Sequence, residues 1–322
     1  MKLVKTHLKK EYNFHFNQNW ALFKLINASF WRSGEKWFMS FVFTALFIVI
    51  FGYINQAILV SNNSQELVPA QGFKDALTGL AALMVISTGL NSMPVSIMEI
   101  KESVLMKRIG STPIKPWMFI TTIAAFYILI MIAQILLVLF VIFIFFGFQT
   151  FGAGSILNPI QITGNQLFFT GYHANGLDIS TNWGGYIFGT IYTILLSIFL
   201  AILIVSLTKK SASASMVGGM IYFLSMFLSG LLFPLAVISN NNILYGLSFI
   251  SPFRYVNVLI TLSWNGFNIF NLAEISEKIT QFNGNLFGIK DIAEVWTGYF
   301  VPVIFIGLAI FFSIRRFRWS TR

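Results

Sequence analysis

Residues 76–98 contain no Asp, Glu, Lys or Arg, and they run from just after Asp75 to just before Glu99. Crossing a bilayer takes about 20 helical residues, so a run of this length is suited to a membrane span. Similar runs predict helical spans at roughly 37–59, 117–146, 184–207, 212–236 and 296–314. A further apolar segment, 241–262, is interrupted by Asn240, Asn241, Asn242, Pro252 and Arg254. It reads either as a seventh span or as a hairpin that enters the membrane and returns.

The remaining composition agrees with a lipid environment. The chain is 56% hydrophobic and 10% charged, against about 25% charged in soluble domains. Its 36 Phe and 8 Trp are read as lipid-facing surface. Lys and Arg decide the number of crossings, because they collect on the cytoplasmic side. With six spans and an inside N-terminus, residues 1–36, 99–116, 208–211 and 315–322 hold 17 of the 21 basic residues. A seventh crossing would put Arg315, Arg316, Arg318 and Arg322 outside. Six spans are therefore expected, with both termini cytoplasmic and 241–262 re-entrant, its irregular backbone buried in protein or lining a cavity.

This divides the chain into a cytoplasmic N-terminus (1–36), a transmembrane domain (37–314) and a basic tail (315–322). Within 1–36, Phe16, Trp20, Phe23, Ile26, Asn27, Phe30 and Trp31 recur near helical spacing, which predicts an amphipathic helix on the membrane surface. No cleavable signal peptide is recognisable. The outer loop 149–182 lacks Lys and Arg and reads as turns or a small cap.

Several chemistries find no residues to carry them. Cysteine is absent, which removes disulfides and thiolate sites. His7, His15 and His173 are too dispersed to share a metal, no G-x-S-x-G elbow appears, and no G-x-x-x-x-G-K-[ST] loop frames a phosphate. No cofactor is expected in this chain. The 11 acidic residues all fall in expected loops or at span ends, whereas ion-coupled transporters keep an ionisable group within the membrane. The basic clusters read as topology signals and lipid contacts, not as a nucleic-acid surface.

The segment Glu99–Pro116 carries Glu99, Lys101, Glu102, Lys107, Arg108 and Lys115 and ends in Thr112-Pro113. A short charged helix between two spans can receive force from a soluble partner. It resembles the coupling loop of ABC-2 type exporter permeases. Three other segments resemble the same family in the same order. They are Phe23–Gly52 with its Arg32-Ser33-Gly34 bend, Ser229-Gly230-Leu231-Leu232-Phe233-Pro234, and Ser251-Pro252-Phe253-Arg254-Tyr255. A second proline that often follows the "FP" pair is replaced here by Ile238-Ser239.

The resemblance implies an all-α integral membrane protein of six transmembrane helices. An N-terminal interfacial helix, a cytoplasmic coupling helix and an outer re-entrant hairpin complete this ABC-2 exporter fold. It implies a transport subunit in the cell membrane without its own ATPase site. A separate cytoplasmic ABC ATPase, binding ATP and Mg, would supply the energy, and a second permease subunit would complete a homodimer or heterodimer. Glu99, Lys101, Glu102, Lys107, Arg108, Thr112 and Pro113 would couple to the ATPase. Phe233, Pro234, Pro252, Arg254 and Tyr255 would form an outer gate. Among the small residues of 211–219, Ser215, Gly218 and Gly219 are candidates for helix packing or dimerisation. The rival readings are a stand-alone secondary transporter or channel, and a membrane-embedded lipid-processing enzyme.

Overall fold

The computed structural model describes residues 20–61, 68–102, 116–146, 161–163, 166–168, 181–282 and 285–316. Almost all of these are helical. Helix α1 (20–32) is followed by α2 (Gly34–Trp37), a π-helical turn (Phe38–Val42) and α3 (Phe43–Ser61). Next come α4 (Val68–Ser87), a second π turn (Thr88–Ser92) and α5 (Met93–Glu102). Helix α6 (Pro116–Phe146) has a proline at its first position, where its missing N–H costs nothing.

Within the expected cap, β1 (Gln161–Thr163) pairs antiparallel with β2 (Gln166–Phe168). Residues 147–160, 164–165 and 169–180 lie outside the described residues. The chain continues as α7 (Trp183–Leu207), α8 (Ser211–Leu228), α9 (Leu235–Ser239), α10 (Asn242–Ser248), α11 (Pro252–Trp264), α12 (Leu272–Gln281) and α13 (Ile292–Arg316).

Among the described residues, five helical stretches are long and apolar enough to cross a membrane: Thr78–Glu102, Met118–Ile142, Trp183–Leu207, Ser211–Leu228 and Ile292–Ser313. The expected first span lies on α3, where the apolar described stretch, Ser40–Gly52, is shorter than a full crossing. The interrupted segment forms α10 and α11, bent by 103° with respect to each other. Its break falls at Ser251-Pro252, where proline starts a new helix and restricts the residue before it.

Two boundaries that bear on the site differ from expectation. The fifth span was expected to run to 236, but α8 ends at Leu228. Gly230 there adopts φ 78°, a left-handed conformation that only glycine takes freely, and the Leu232 N–H returns to the Met226 carbonyl. The second span extends beyond 98: Glu99, Lys101 and Glu102 form the last turn of α5 and not a separate loop helix.

Burial is distributed unevenly. Helix α11 is buried from Val256 to Trp264 and packs against α7, α13 and α4. The innermost element of the bundle is therefore half of the bent pair. Helix α8 is the opposite: it buries Ala214, Gly218 and Ser225, while Met216, Met220, Phe223 and Phe227 face away from the protein. Helix α1 buries Leu22, Ile26 and Phe30, one stripe at i, i+4 and i+8. The Phe23 and Phe30 rings each meet Phe126 of α6 edge-on at 5.6 Å, leaving Trp20 and Trp31 exposed. The expected amphipathic helix thus turns its apolar stripe onto a span and its tryptophans outward.

Candidate functional site

The candidate residues collect at two places, one around Glu102 and one around Arg254. Lys107, Arg108, Thr112 and Pro113 lie outside the described residues. The other expected coupling residues close the end of α5, where two carboxylates are engaged within the chain. Glu99 pairs with Lys36 of α2 at 2.5 Å, and the same ammonium donates to Ser96 Oγ at 3.1 Å. Ser96 also accepts from the Tyr127 hydroxyl at 2.7 Å. Lys36 is only 14% exposed, so its charge depends on this partner more than a solvated lysine would.

Glu102 reaches a different helix. Its carboxylate accepts from the Ser211 backbone N–H at 2.6 Å and from Ser211 Oγ at 3.1 Å. Lys210, the residue before α8, caps nothing with its side chain. Glu102 therefore supplies the cap from another element and places negative charge at the positive end of a helix. Lys101 lies between the two, partly buried. The end of α5 is thus tied to α2 by one carboxylate and to α8 by the other.

The second cluster fastens the bent pair to α13. Arg254, 1% exposed, donates from Nη2 to Glu294 at 2.7 Å. Its guanidinium lies 3.7 Å from the Phe249 ring centroid and 4.9 Å from that of Tyr245. Glu294 also receives the Lys290 backbone N–H at 2.8 Å and the Tyr245 hydroxyl. Arg254 Nε has no hydrogen-bond partner among the described residues. Lys290 Nζ stands 4.3 Å above the Tyr245 ring. Tyr255 does not join this ion pair; its hydroxyl donates to the Phe249 carbonyl at 2.8 Å.

A hydroxyl and amide group lies beside it. Ser229 and Ser251 share a hydrogen bond at 2.5 Å, and Ser251 donates to Ser225 Oγ at 3.2 Å. Asn257 Nδ2 holds the Ser229 and Gly230 carbonyls at 2.9 and 3.0 Å. On the other side, a Cβ on Gly79 of α4 would lie 2.5 Å from the Leu231 carbonyl oxygen. The turn after α8 is wedged between α4 and α11, and only glycine admits the approach. Pro234 closes that turn before α9, and Phe233 stays 47% exposed, with its ring 6.2 Å from Phe227.

The three small residues of α8 separate. Gly218 is buried, and a Cβ there would collide with the Leu90 carbonyl oxygen in the second π turn. Among the described residues, a Cβ on Gly219 would have only Asn91 Oδ1 nearby, at 3.8 Å, and Ser215 is exposed. Gly218 packs within the chain, while Ser215 lies on an uncovered face.

Reasoning from sequence did not single out Lys36, Ser211, Asn257 or Glu294. Each acts on a partner tens of residues away, and only side-chain type (a charge, an amide or a hydroxyl) marked them. No group of three or more His, Cys, Asp or Glu that could hold a metal occurs among the described residues.

Long apolar helices, carboxylates that tie one helix to the next, and a buried ion pair under a sharply bent helix pair define a multi-pass α-helical membrane protein. The model of the ABC-2 family transporter protein matches residues 54–315, and the chain belongs to that family. It is a membrane permease of an ABC transporter. No curated protein matches the sequence.

Proposed function

We propose that the chain is the membrane-spanning subunit of an ABC exporter in the cell membrane. A separate cytoplasmic ATPase subunit, which binds ATP and Mg, drives it, and it works beside a second permease subunit. The segment 99–116 receives the ATPase subunit. Lys107, Arg108, Thr112 and Pro113 belong to the part that meets the ATPase, and Lys101 stands at its root. Glu99 and Glu102 anchor that root. Both termini and the Glu102 end are cytoplasmic, as the basic residues of 1–36, 99–116, 208–211 and 315–322 favour. The α10–α11 pair is a re-entrant hairpin of the outer side, with Phe233, Pro234, Pro252, Arg254 and Tyr255 at the gate. The uncovered face of α8, with Ser215 and Met216, lines the path or meets the second subunit.

One observation carries this reading. Helix α5, which leads into that segment, is tied by Glu99 to α2 and by Glu102 to the start of α8. A push on the loop would therefore reach two other helices directly, as a coupling element requires.

The test is reconstitution in lipid nanodiscs. The purified chain alone hydrolyses no ATP, and hydrolysis appears when its cytoplasmic ATPase subunit is added and binds. Persistent hydrolysis by the chain alone, or failure of any ATPase to associate, would overturn the proposal.

A further inference from the structure

Two membrane helices each contain a π turn, and one side chain holds both. Gln134 of α6 is fully buried. Its Nε2 donates to the Ser40 carbonyl, inside the first π turn, at 2.7 Å, and to Thr88 Oγ1, which opens the second, at 2.7 Å. Because a carbonyl can only accept, the amide must present its NH2 group to Ser40, so the orientation follows from the partner. The Gln134 Oε1 accepts no hydrogen bond among the described residues. In hydrocarbon there is no water to replace a lost partner, so the amide is bound to this geometry on its donor side alone.

A π turn inserts an extra residue into a helix and recurs at functional sites. Here each one separates a short arm from the rest of its span. On the Glu102 side are α2 and α5; on the other side are α3 and α4, which pack on each other. The two arms are themselves joined, since Lys36 of α2 pairs with Glu99 of α5. Tyr127, one α6 side chain, donates to Ser96 of α5. Gln134, two turns further along α6, holds the two π turns.

We propose that Gln134 is the positioning residue of a paired hinge. Helices α2 and α5 swing as one body about the two π turns, passing a push received through the segment 99–116 into α3 and α4. This rests on the reading that those residues receive an ATPase. An amide suits the role because its two N–H groups diverge from one nitrogen and reach two helices at once. A hydroxyl offers one donor, and a charge would be costly at this depth.

Three variants test it. Gln134→Leu removes both donors, Thr88→Val removes one acceptor while keeping the shape, and Thr88→Ser keeps the hydroxyl. Amide hydrogen exchange is measured on the chain alone in nanodiscs, then transport per ATP hydrolysed with the ATPase bound. Gln134→Leu should raise exchange in Phe38–Val42 and Thr88–Ser92 by about fivefold to tenfold, with α13 unchanged. Thr88→Val, which touches only the second turn, should loosen the first as well, and Thr88→Ser should match the parent. With the ATPase, transport per ATP should fall several-fold in Gln134→Leu and Thr88→Val and stay at the parent value in Thr88→Ser. Unchanged exchange in Gln134→Leu, or a Thr88→Val response confined to the second turn, overturns the paired hinge. So does normal transport in both impaired variants. Should Gln134→Leu not fold, the Thr88 pair decides. If exchange behaves as expected while no ATPase binds, the hinge stands and the coupling reading fails.

Discussion

Neutralising Glu294 should unfasten the bent helix pair from α13, and the size of the effect follows from its partners. The carboxylate takes hydrogen bonds from Arg254 Nη2 at 2.7 Å, from the Lys290 N–H at 2.8 Å and from the Tyr245 hydroxyl. Glu294→Gln keeps the volume but turns one acceptor into an NH2 group. That group must face either Arg254 or the Lys290 and Tyr245 donors, donor against donor. Arg254, 1% exposed, would then hold a positive charge with no carboxylate beside it. Removing one partner of a buried pair costs about 3–5 kcal/mol. The Phe249 and Tyr245 rings flank the guanidinium in parent and variant alike, so they do not change this difference. A loss of about 3–5 kcal/mol would lower the melting temperature by something on the order of 10 °C. Tryptophan fluorescence of the purified chain in nanodiscs, followed through a thermal ramp, reads the shift. The double variant Arg254→Met, Glu294→Met removes both charges and should recover most of the loss, because an apolar pair of similar size can replace a buried ion pair. If Glu294→Gln melts within about 2 °C of the parent, the pair does not hold the hairpin and the argument is wrong.

Further substitutions probe the other contacts. Gly218→Leu should abolish folded protein on size-exclusion chromatography, because Leu90 occupies the space a side chain needs; Gly219→Leu should still fold, and equal yields would remove the distinction. Glu102→Gln should destabilise the start of α8 by about 0.5–1 kcal/mol, visible as faster hydrogen exchange at Ser211–Ala214 and nowhere in α13. Glu102→Lys adds a third cation beside Lys209 and Lys210, and should leave membrane insertion intact while the bound ATPase hydrolyses without transport; normal transport would confine the carboxylate to capping. A tag at Arg322 should stay unlabelled by a membrane-impermeant reagent in intact cells, and labelling would reverse the proposed orientation.

What could be read from sequence follows physical range. The apolar runs were legible because lipid demands about 20 consecutive residues, a local requirement that needs no partner. The break near Pro252 was legible for the same reason, since proline and three asparagines act on their own backbone. The end of α8 was not, because no charge or proline stands at Leu228 and the stop depends on Gly230 meeting α4 and Asn257. The π turns were not recognised either: Phe38–Val42 is as apolar as the helix that follows it, and the polar Thr88, Asn91 and Ser92 of the second turn do not by themselves distinguish a π turn from an α-helical one. Gln134 was visible only as one amide in an uncharged run, and its two partners lie in other helices.

The charges show most clearly where sequence reasoning stops. Glu99, Glu102 and Arg254 stood out because charge is costly near lipid. Their partners were invisible, as Lys36, Ser211 and Glu294 lie 63, 109 and 40 residues away in the chain. Those partners change what the residues do. A carboxylate free at the surface would contribute little to stability. Glu99 instead closes on a lysine that is 14% exposed, and Glu102 caps a helix whose preceding residue does not. The acidic residues at the end of α5 are therefore what joins that helix to α2 and to the start of α8. That role explains why a segment already marked by Lys and Arg for orientation also carries Glu.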